Sequence, residues 1–192
     1  MIDLAVNQLS ERLKQLSFLD LVGGVARQQK IKVGGVIKTV PASHDPNNED
    51  GYVLLSPDEK HAGIAYFEVL SNRRGAEIGG GRAFQFAATI RLVAWFDTKR
   101  LAPSSMAPAA MAEIVGTLSG KYDDVAPLGS LVVTPEQEAP RSADIFAKYN
   151  YNETETQFLM LPFEYFAFDF SMTFTMLADC QTVNVVQTSE QC

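Results

Sequence analysis

The chain has 192 residues, 46% of them hydrophobic and 20% charged, and its formal net charge is −7 at pH 7. This balance is ordinary for a globular protein, and the length allows one domain with a sizeable core. The acidic charge argues against a general grip on nucleic acid, which needs clustered lysine and arginine at the phosphates. The two cysteines, Cys180 and Cys192, exclude a disulfide framework for the body of the protein and favour a reducing compartment. With no apolar run of about eighteen residues and no secretory signal pattern, the sequence predicts no membrane segment and no membrane partner.

Residues 2–17 are predicted to form an amphipathic helix. The apolar stripe recurs at steps of four and three residues and consists of Ile2, Val6, Leu9, Leu13 and Leu16. Asp3 lies near the start, where a carboxylate favours the positive end of the helix dipole. Gly23 and Gly24 then break the pattern.

A series of short strands is predicted to follow the first helix. Residues 30–40 (KIKVGGVIKTV) read as two strands around Gly34-Gly35, which favours a tight hairpin turn or a bulge. The acidic stretch 41–51 has the composition of a turn-rich loop. Residues 52–55 and 62–70 are further strand candidates.

Two longer strands, at about 83–97 and 164–177, dominate the predicted sheet. Apolar residues occupy the even positions of both, which gives each strand one apolar face and one mostly polar face. Residues 71–82 (SNRRGAEIGGGR) are predicted to be a mobile loop that joins 62–70 to the first long strand as a hairpin. Strands of this length exceed the usual five or six residues and suggest a sheet that extends to meet another molecule.

A second helix is predicted at about 105–119, with a serine cap before it and Gly120 after it. A short strand at 131–134 follows, and the segment 135–161 is irregular by pattern. The chain is therefore predicted to be α+β, with an antiparallel or mixed sheet packed against the two helices. Residues 1–178 form the single predicted domain, and 179–192 form a tail that is expected to order only on assembly.

The motifs that carry chemistry are weak in this sequence. Metal-ligand residue types gather at His44, Asp45, Glu49, Asp50 and His61, but their spacing matches no known finger and their composition is that of a solvated loop. Gly79-Gly80-Gly81 precedes a strand rather than a helix, which argues against a phosphate-binding loop. We therefore expect no catalytic residues, no cofactor and no metal.

The candidate interface residues are Arg73, Arg74, Arg82 and Trp95. The three arginines form a basic island in an acidic chain, and arginine is favoured at interfaces because it pairs with carboxylates through two hydrogen bonds. The alternative interpretation is that the three arginines are solvated charges on a loop. Trp95 lies on the otherwise polar face of the first long strand, where either another subunit or cross-strand pairing would cover it.

The order of elements resembles a known group of virion proteins. A helix of the form IDLAVNQLSERLKQL opens the chain, a glycine-broken strand pair and an acidic loop follow, and the long strands read FQFAATIRLVAWFDTKRL and FAFDFSMTFTM. This pattern resembles the neck proteins of tailed bacteriophages, in particular tail-terminator and head–tail connector ring subunits, including those of crAss-like phages. The segment 135–161 has no counterpart in the minimal fold of this group.

The resemblance implies a non-enzymatic structural role in the virion. Such a protein would assemble in the host cytoplasm into a homo-oligomeric ring, six- or twelve-fold, in contact with portal, neck or tail proteins. Genomic DNA would pass through the ring without specific binding. The alternative is a small-molecule or carbohydrate-binding α+β module of a bacterium, with a pocket between sheet and helices and residues 72–82 as a lid. In a third reading, an enzyme, Glu164, Asp169 and His61 would be the candidate groups.

Overall fold

A computed structural model describes residues 2–101, 107–123, 128–139, 145–151 and 156–177. These contain two α-helices, nine strands and a short 3-10 helix at Gln157–Leu159, so the predicted α+β class is confirmed. The tail 179–192 lies outside the described residues, and so does the N-terminal part of the second predicted helix. In chain order the elements are α1 Ile2–Leu13, β1 Leu21–Val25, β2 Arg27–Val33, β3 Val36–His44, β4 Tyr52–Leu54, β5 Gly63–Ile78, β6 Ala83–Asp97, α2 Ala107–Leu118, β7 Gly120–Asp123, β8 Leu128–Glu138 and β9 Phe163–Leu177.

The strands form two sheets. The main sheet has six strands in the order β1-β5-β6-β9-β8-β7, and the smaller sheet has the order β2-β3-β4. The main sheet is mixed, because β1 runs parallel to β5 while the other neighbours are antiparallel. The two predicted long strands, β6 and β9, pair in unbroken register from Ala83↔Leu177 to Asp97↔Phe163 and form the centre of the sheet.

The first core lies between the helices and the face of the sheet that carries the even-numbered residues of β6 and β9. α1 contributes Ala5, Val6, Leu9 and Leu13, all fully buried. Each large apolar side chain buried in this way contributes about 1.5–3 kcal/mol. The helix ends at Leu13, short of the predicted residue 17, because the amides of Gln15 and Leu16 bond to carbonyls three residues back in a tighter turn. Leu16 still packs on the core, which explains why the apolar pattern outlasts the helix.

A second core covers one end of the opposite face of the sheet. The odd-numbered side chains Val93, Trp95 and Ala167 are buried there under aromatic residues that follow β8, together with Leu55. The segment 135–161, which the sequence pattern left without a place, is therefore used in its described parts as a cover for the sheet. β8 also takes the first residues of that segment and continues to Glu138.

The structure corrects the predicted loop at 71–82, because β5 continues through Ile78 and pairs with β6 up to Ile78↔Ala83. Two irregularities in register, after Val69 and after Arg74, break the alternation that would have identified the strand. Only Gly79, Gly80, Gly81 and Arg82 form the connection, and all three glycines have positive φ, which other residues rarely adopt. The residues from Arg73 to Ile78 whose side chains are described are all exposed, so a polar composition is compatible with a strand here.

The predicted hairpin around Gly34-Gly35 is confirmed. β2 and β3 pair from Arg27↔Ala42 to Val33↔Val36, and the two glycines at the turn have φ values of 58° and 86°. Two successive residues with positive φ are the requirement of the type I′ hairpin turn. The strands are longer than predicted, since β3 continues to His44 through residues that were assigned to the acidic loop.

Candidate assembly surfaces

The outer edge of β5 is open over most of its length. β1 pairs with β5 only between Ile64 and Phe67, so from Val69 to Ile78 the outer edge has no strand partner among the described residues. An open strand edge exposes a row of peptide N–H and C=O groups that can accept another strand. The irregularities in register and the charged side chains of this segment hinder pairing with an arbitrary strand. The edge therefore favours a partner whose shape and charge are complementary to it.

The opposite edge of the sheet is open as well. β7 pairs with β8 only at Ser130–Val133, so Thr134 to Gln137 lack an outer strand partner within the described chain. This edge is exposed and carries Glu136, whereas the β5 edge carries Arg73. The two open edges therefore lie on opposite sides of one sheet and carry opposite charge.

The three predicted interface arginines lie at one end of the β5–β6 hairpin. Arg73 is on β5, opposite Ala87 of β6, and its side chain is exposed. The backbone of Arg74 is on the same strand, but its side chain lies outside the described part of the structure. Arg82 is exposed in the turn before β6. The structure thus places Arg73 on a strand with an open edge instead of on the predicted loop, whereas Arg82 is in the turn that remains between β5 and β6.

The structure corrects the placement of Trp95. The indole is 1% exposed and is enclosed by the chain itself. Its Nε1 donates a hydrogen bond to the carbonyl oxygen of Phe158 at 2.6 Å, and its ring stacks on Phe163 with centroids 5.2 Å apart. Trp95 is therefore a core residue that anchors the segment before β9, and it is not available to a neighbouring subunit.

A row of alternating charges crosses three adjacent strands beside this second core. Register places Glu68 of β5, Arg91 of β6 and Asp169 of β9 side by side. Arg91 donates two hydrogen bonds to Asp169, from Nε to Oδ1 at 2.7 Å and from Nη2 to Oδ2 at 3.0 Å. These hydrogen bonds raise the pKa of Arg91. Sequence alternation could place each residue on the polar face, but only the register between strands brings the three together.

Glu68 links this row to the segment that covers the second core. Its Oε1 accepts a hydrogen bond from the Tyr149 hydroxyl at 3.0 Å and lies 2.6 Å from Nζ of Lys148. Burial raises the pKa of Tyr149 and of the neighbouring Tyr66 well above their ordinary values, so both hydroxyls stay protonated at neutral pH. These contacts give the buried Glu68 carboxylate its polar partners and hold the covering segment against the sheet. The role of Glu68 is therefore structural.

A groove of about 630 Å³ lies between α1, β1 and the small sheet. Polar side chains line it, including Asn7, Lys14, Asp20, Ser43 and His44. Its position differs from the predicted pocket, because the space between sheet and helices is filled by the first core. The predicted lid is also wrong, since residues 72–78 belong to β5.

The residues named for an enzymatic reading do not form one site. Asp169 is held by Arg91, and Glu164 lies five positions away on the same strand, about 17 Å along it. His61 Nδ1 lies 2.8 Å from Asp58 in the turn before β5. Within the described residues, no group of three or more His, Cys, Asp and Glu side chains is arranged to hold a metal ion.

Comparison of the chain with protein-family models, curated proteins and solved structures finds no match. Neither described helix is long and apolar enough to cross a membrane. The functional interpretation of the surfaces described above therefore depends on their geometry alone.

Proposed function

We propose that this protein is a structural subunit that forms a homo-oligomeric ring in the head–tail neck, or at the top of the tail, of a tailed bacteriophage. The observation that carries the proposal is the pair of open edges on one six-stranded sheet, β5 from Val69 to Ile78 and β8 from Thr134 to Gln137. The ordered pattern of helix, glycine-broken hairpin and long strands supports the class of virion protein.

The open edges suit contact between identical copies in one direction. The β5 edge carries exposed Arg73 and the β8 edge carries exposed Glu136, so the edge of one copy complements the other edge of the next. A contact between two different surfaces of the same chain is heterologous, and it closes into a ring when the rotation between neighbours divides a full turn. Backbone hydrogen bonds would then continue the sheet from one subunit to the next, except at Pro135, which has no N–H to donate.

In this proposal the ring is non-enzymatic and six- or twelve-fold, assembles in the host cytoplasm and contacts portal, neck or tail proteins in the virion. DNA passes through the lumen. The net charge of −7 supports passage without adhesion, because an acidic wall repels phosphate.

The test is the mass and symmetry of the purified protein by native mass spectrometry and electron microscopy. We expect a closed oligomer, and we expect the double substitution Arg73→Glu with Arg74→Glu to weaken it while the circular dichroism spectrum stays unchanged. A matched control is Lys60→Glu with Lys99→Glu, which makes the same charge change on exposed residues at the other end of β5 and β6. A wild-type protein that stays monomeric at high concentration would refute the proposal, and equal assembly of both double variants would remove the arginines from the interface.

A second candidate function is binding of a small polar molecule or carbohydrate. The observation that favours it is the polar groove of about 630 Å³ between α1 and the small sheet, which is within the size range of ligand pockets. Thermal-shift screening distinguishes the two candidates, because a ligand present at a hundred times its Kd stabilises a protein by about 2.7 kcal/mol. A ligand whose effect is abolished by His44→Leu, a change at an exposed residue of the groove lining, in a monomeric protein would favour this candidate over the ring.

A further inference from the structure

The β2–β3 hairpin, Arg27–His44, differs in charge from the rest of the molecule. Residues 21–44 contain four lysines and arginines and no aspartate or glutamate, so this stretch carries +4 and the remainder −11, which together give the net −7. Arg27 is paired with Asp3 at 3.3 Å. Lys30 and Lys32 are exposed and make no ion pair within the described structure. We refer to this element below as the basic hairpin.

The tip of the basic hairpin is apolar as well as basic. Val36 is 62% exposed and Ile37 is 68% exposed, although large β-branched side chains are usually buried. Cross-strand register sets Ile37 opposite Lys32, and Val33, also exposed, opposite Val36. Side chains directly opposite on an antiparallel pair lie on the same face. The hairpin therefore presents an isoleucine beside a lysine on one face and a valine pair on the other.

The other end of the small sheet has the complementary character. The turn between β3 and β4 carries Glu49 and Asp50, both exposed and without an ion-pair partner among the described residues. On the edge strand β4, which follows this turn, Leu54 is 39% exposed and pairs with Ala42 of β3. Glu49, Asp50 and Leu54 together are called the acidic seat below. Along β3, Leu54 is level with Ala42, about 20 Å from Val36 at the hairpin tip, and the acidic turn follows His44, which is about 26 Å from Val36.

We propose that the basic hairpin of one copy docks on the acidic seat of a second copy of this chain. The small sheet carries a basic apolar surface at one end and an acidic apolar surface at the other. Their separation of about 20–26 Å along β3 prevents them from meeting within one molecule. When two copies lie head to tail, the basic hairpin of one copy can contact the acidic seat of the other. The inference rests on the proposed function in one respect, because both require the chain to associate with itself.

The chemistry of the hairpin favours this occupant over nucleic acid. A phosphate backbone offers no partner for an exposed valine pair and an isoleucine, whereas the acidic seat offers Leu54 beside two carboxylates. The exposed apolar side chains would supply contact area, while the charges would fix direction and exclude pairing of hairpin with hairpin.

The experiment is a charge-swap in the full-length chain. One variant combines Lys30→Glu with Lys32→Glu, and the other combines Glu49→Lys with Asp50→Lys. In each variant by itself, the hairpin and the seat carry charges of the same sign and repel each other. We therefore expect the self-association of either variant, measured by analytical ultracentrifugation, to weaken about tenfold or more. In an equal mixture every contact again joins opposite charges, so association returns. Lys60→Glu with Lys99→Glu is the charge-matched control and leaves association unchanged.

Each outcome decides between the possibilities. Loss in both variants and recovery in the mixture supports the docking of hairpin on seat. If wild type associates and the variants associate equally well, or if the mixture stays dissociated although both variants keep native circular dichroism, the inference is overturned and the proposed ring stands on its sheet edges. Wild-type protein that is monomeric at high concentration overturns both. Salt-sensitive binding of duplex DNA that the lysine variant abolishes, with self-association unaffected, identifies the hairpin as a nucleic-acid contact and overturns the inference.

Discussion

Replacement of Arg91 by methionine tests whether the charge row across β5, β6 and β9 stabilises the sheet. Methionine keeps much of the length of the side chain and removes the guanidinium. The Asp169 carboxylate is 7% exposed at its side chain, and Arg91 provides the only side-chain hydrogen bonds it receives within the described structure. Arg91→Met therefore leaves a buried negative charge without a partner.

The expected cost follows from burial. Removing one member of a buried ion pair destabilises a protein by about 3–5 kcal/mol, mainly because the remaining charge stays desolvated. The Arg91 side chain is 26% exposed, so water can partly take its place, and we expect about 3 kcal/mol. That is a large part of the roughly 5–15 kcal/mol by which a domain is stable.

The assay is urea unfolding followed by circular dichroism at pH 7. We expect Arg91→Met and Asp169→Leu each to cost about 3 kcal/mol, and the double variant to cost clearly less than their sum, because it leaves no unpaired charge. The matched control is Arg27→Met, which breaks a pair with Asp3 whose arginine side chain is 75% exposed. An exposed pair of this kind contributes about 0–1 kcal/mol.

Two results would refute this reasoning. If Arg91→Met and Arg27→Met cost the same within about 0.5 kcal/mol, burial of the pair does not govern its contribution. If the costs of Arg91→Met and Asp169→Leu simply add, the two side chains are not coupled and the short distances between them carry little energy.

Two further predictions concern the backbone and the second core. An added Cβ at Gly63 would lie 2.2 Å from a backbone carbonyl oxygen, whereas one at Gly116 in α2 would meet nothing within 4 Å. We therefore expect Gly63→Ala to lower stability by about 2 kcal/mol or more and Gly116→Ala to raise it by about 0.5–1 kcal/mol in thermal denaturation, and equal effects would contradict the packing at Gly63. Tyr149→Phe removes the hydrogen bond to Glu68 and should cost about 1.5–3 kcal/mol at pH 7. Because burial raises the folded-state pKa of Tyr149, its contribution is complete below the ordinary value of 10.0 and is lost as pH rises above it. Wild type should accordingly lose stability above pH 10 more steeply than Tyr149→Phe, and parallel curves would contradict this.

The sequence predicts the central elements of this fold because their periodicity is uninterrupted. Apolar residues at every second position identify β6 as 83–97, the bounds that the structure has, and place β9 within one residue of its observed start. The stripe of α1 identifies its buried residues, since Val6, Leu9 and Leu13 are all in the first core. In these elements a single face is buried along the whole length, so the spacing of the apolar residues in the sequence identifies the buried face.

Elements whose burial changes along their length are predicted poorly. β5 begins between two strands and ends as an exposed edge, so its second half has the composition of a loop. Trp95 occupies a position on the polar face of β6 that is covered by residues distant in sequence, and no local pattern announces that cover. Both errors arise from tertiary context, which periodicity within one strand does not contain.

The surfaces are predicted in part. Arg73 lies on β5 instead of the predicted loop, Arg82 lies in the turn before β6, and their role at an interface stays a prediction. The basic hairpin was missed because net charge was considered for the whole chain. A count in windows would have found it, since residues 21–44 lack any acidic side chain.

The two proposed contacts differ in physical character, and this difference constrains how a ring could form. Strand-edge pairing combines backbone hydrogen bonds with one exposed charge contact between Arg73 and Glu136, whereas docking of Lys30 and Lys32 on Glu49 and Asp50 depends mainly on exposed charges, which are screened beyond about 10 Å at 0.1 M salt. If both contacts act, high salt should weaken association without abolishing it. Each contact alone fixes a direction but leaves some freedom of rotation between neighbours. Two contacts on separate sheets of one subunit remove that freedom, and the fixed rotation gives a ring of defined order when it divides a full turn, and a filament when it does not.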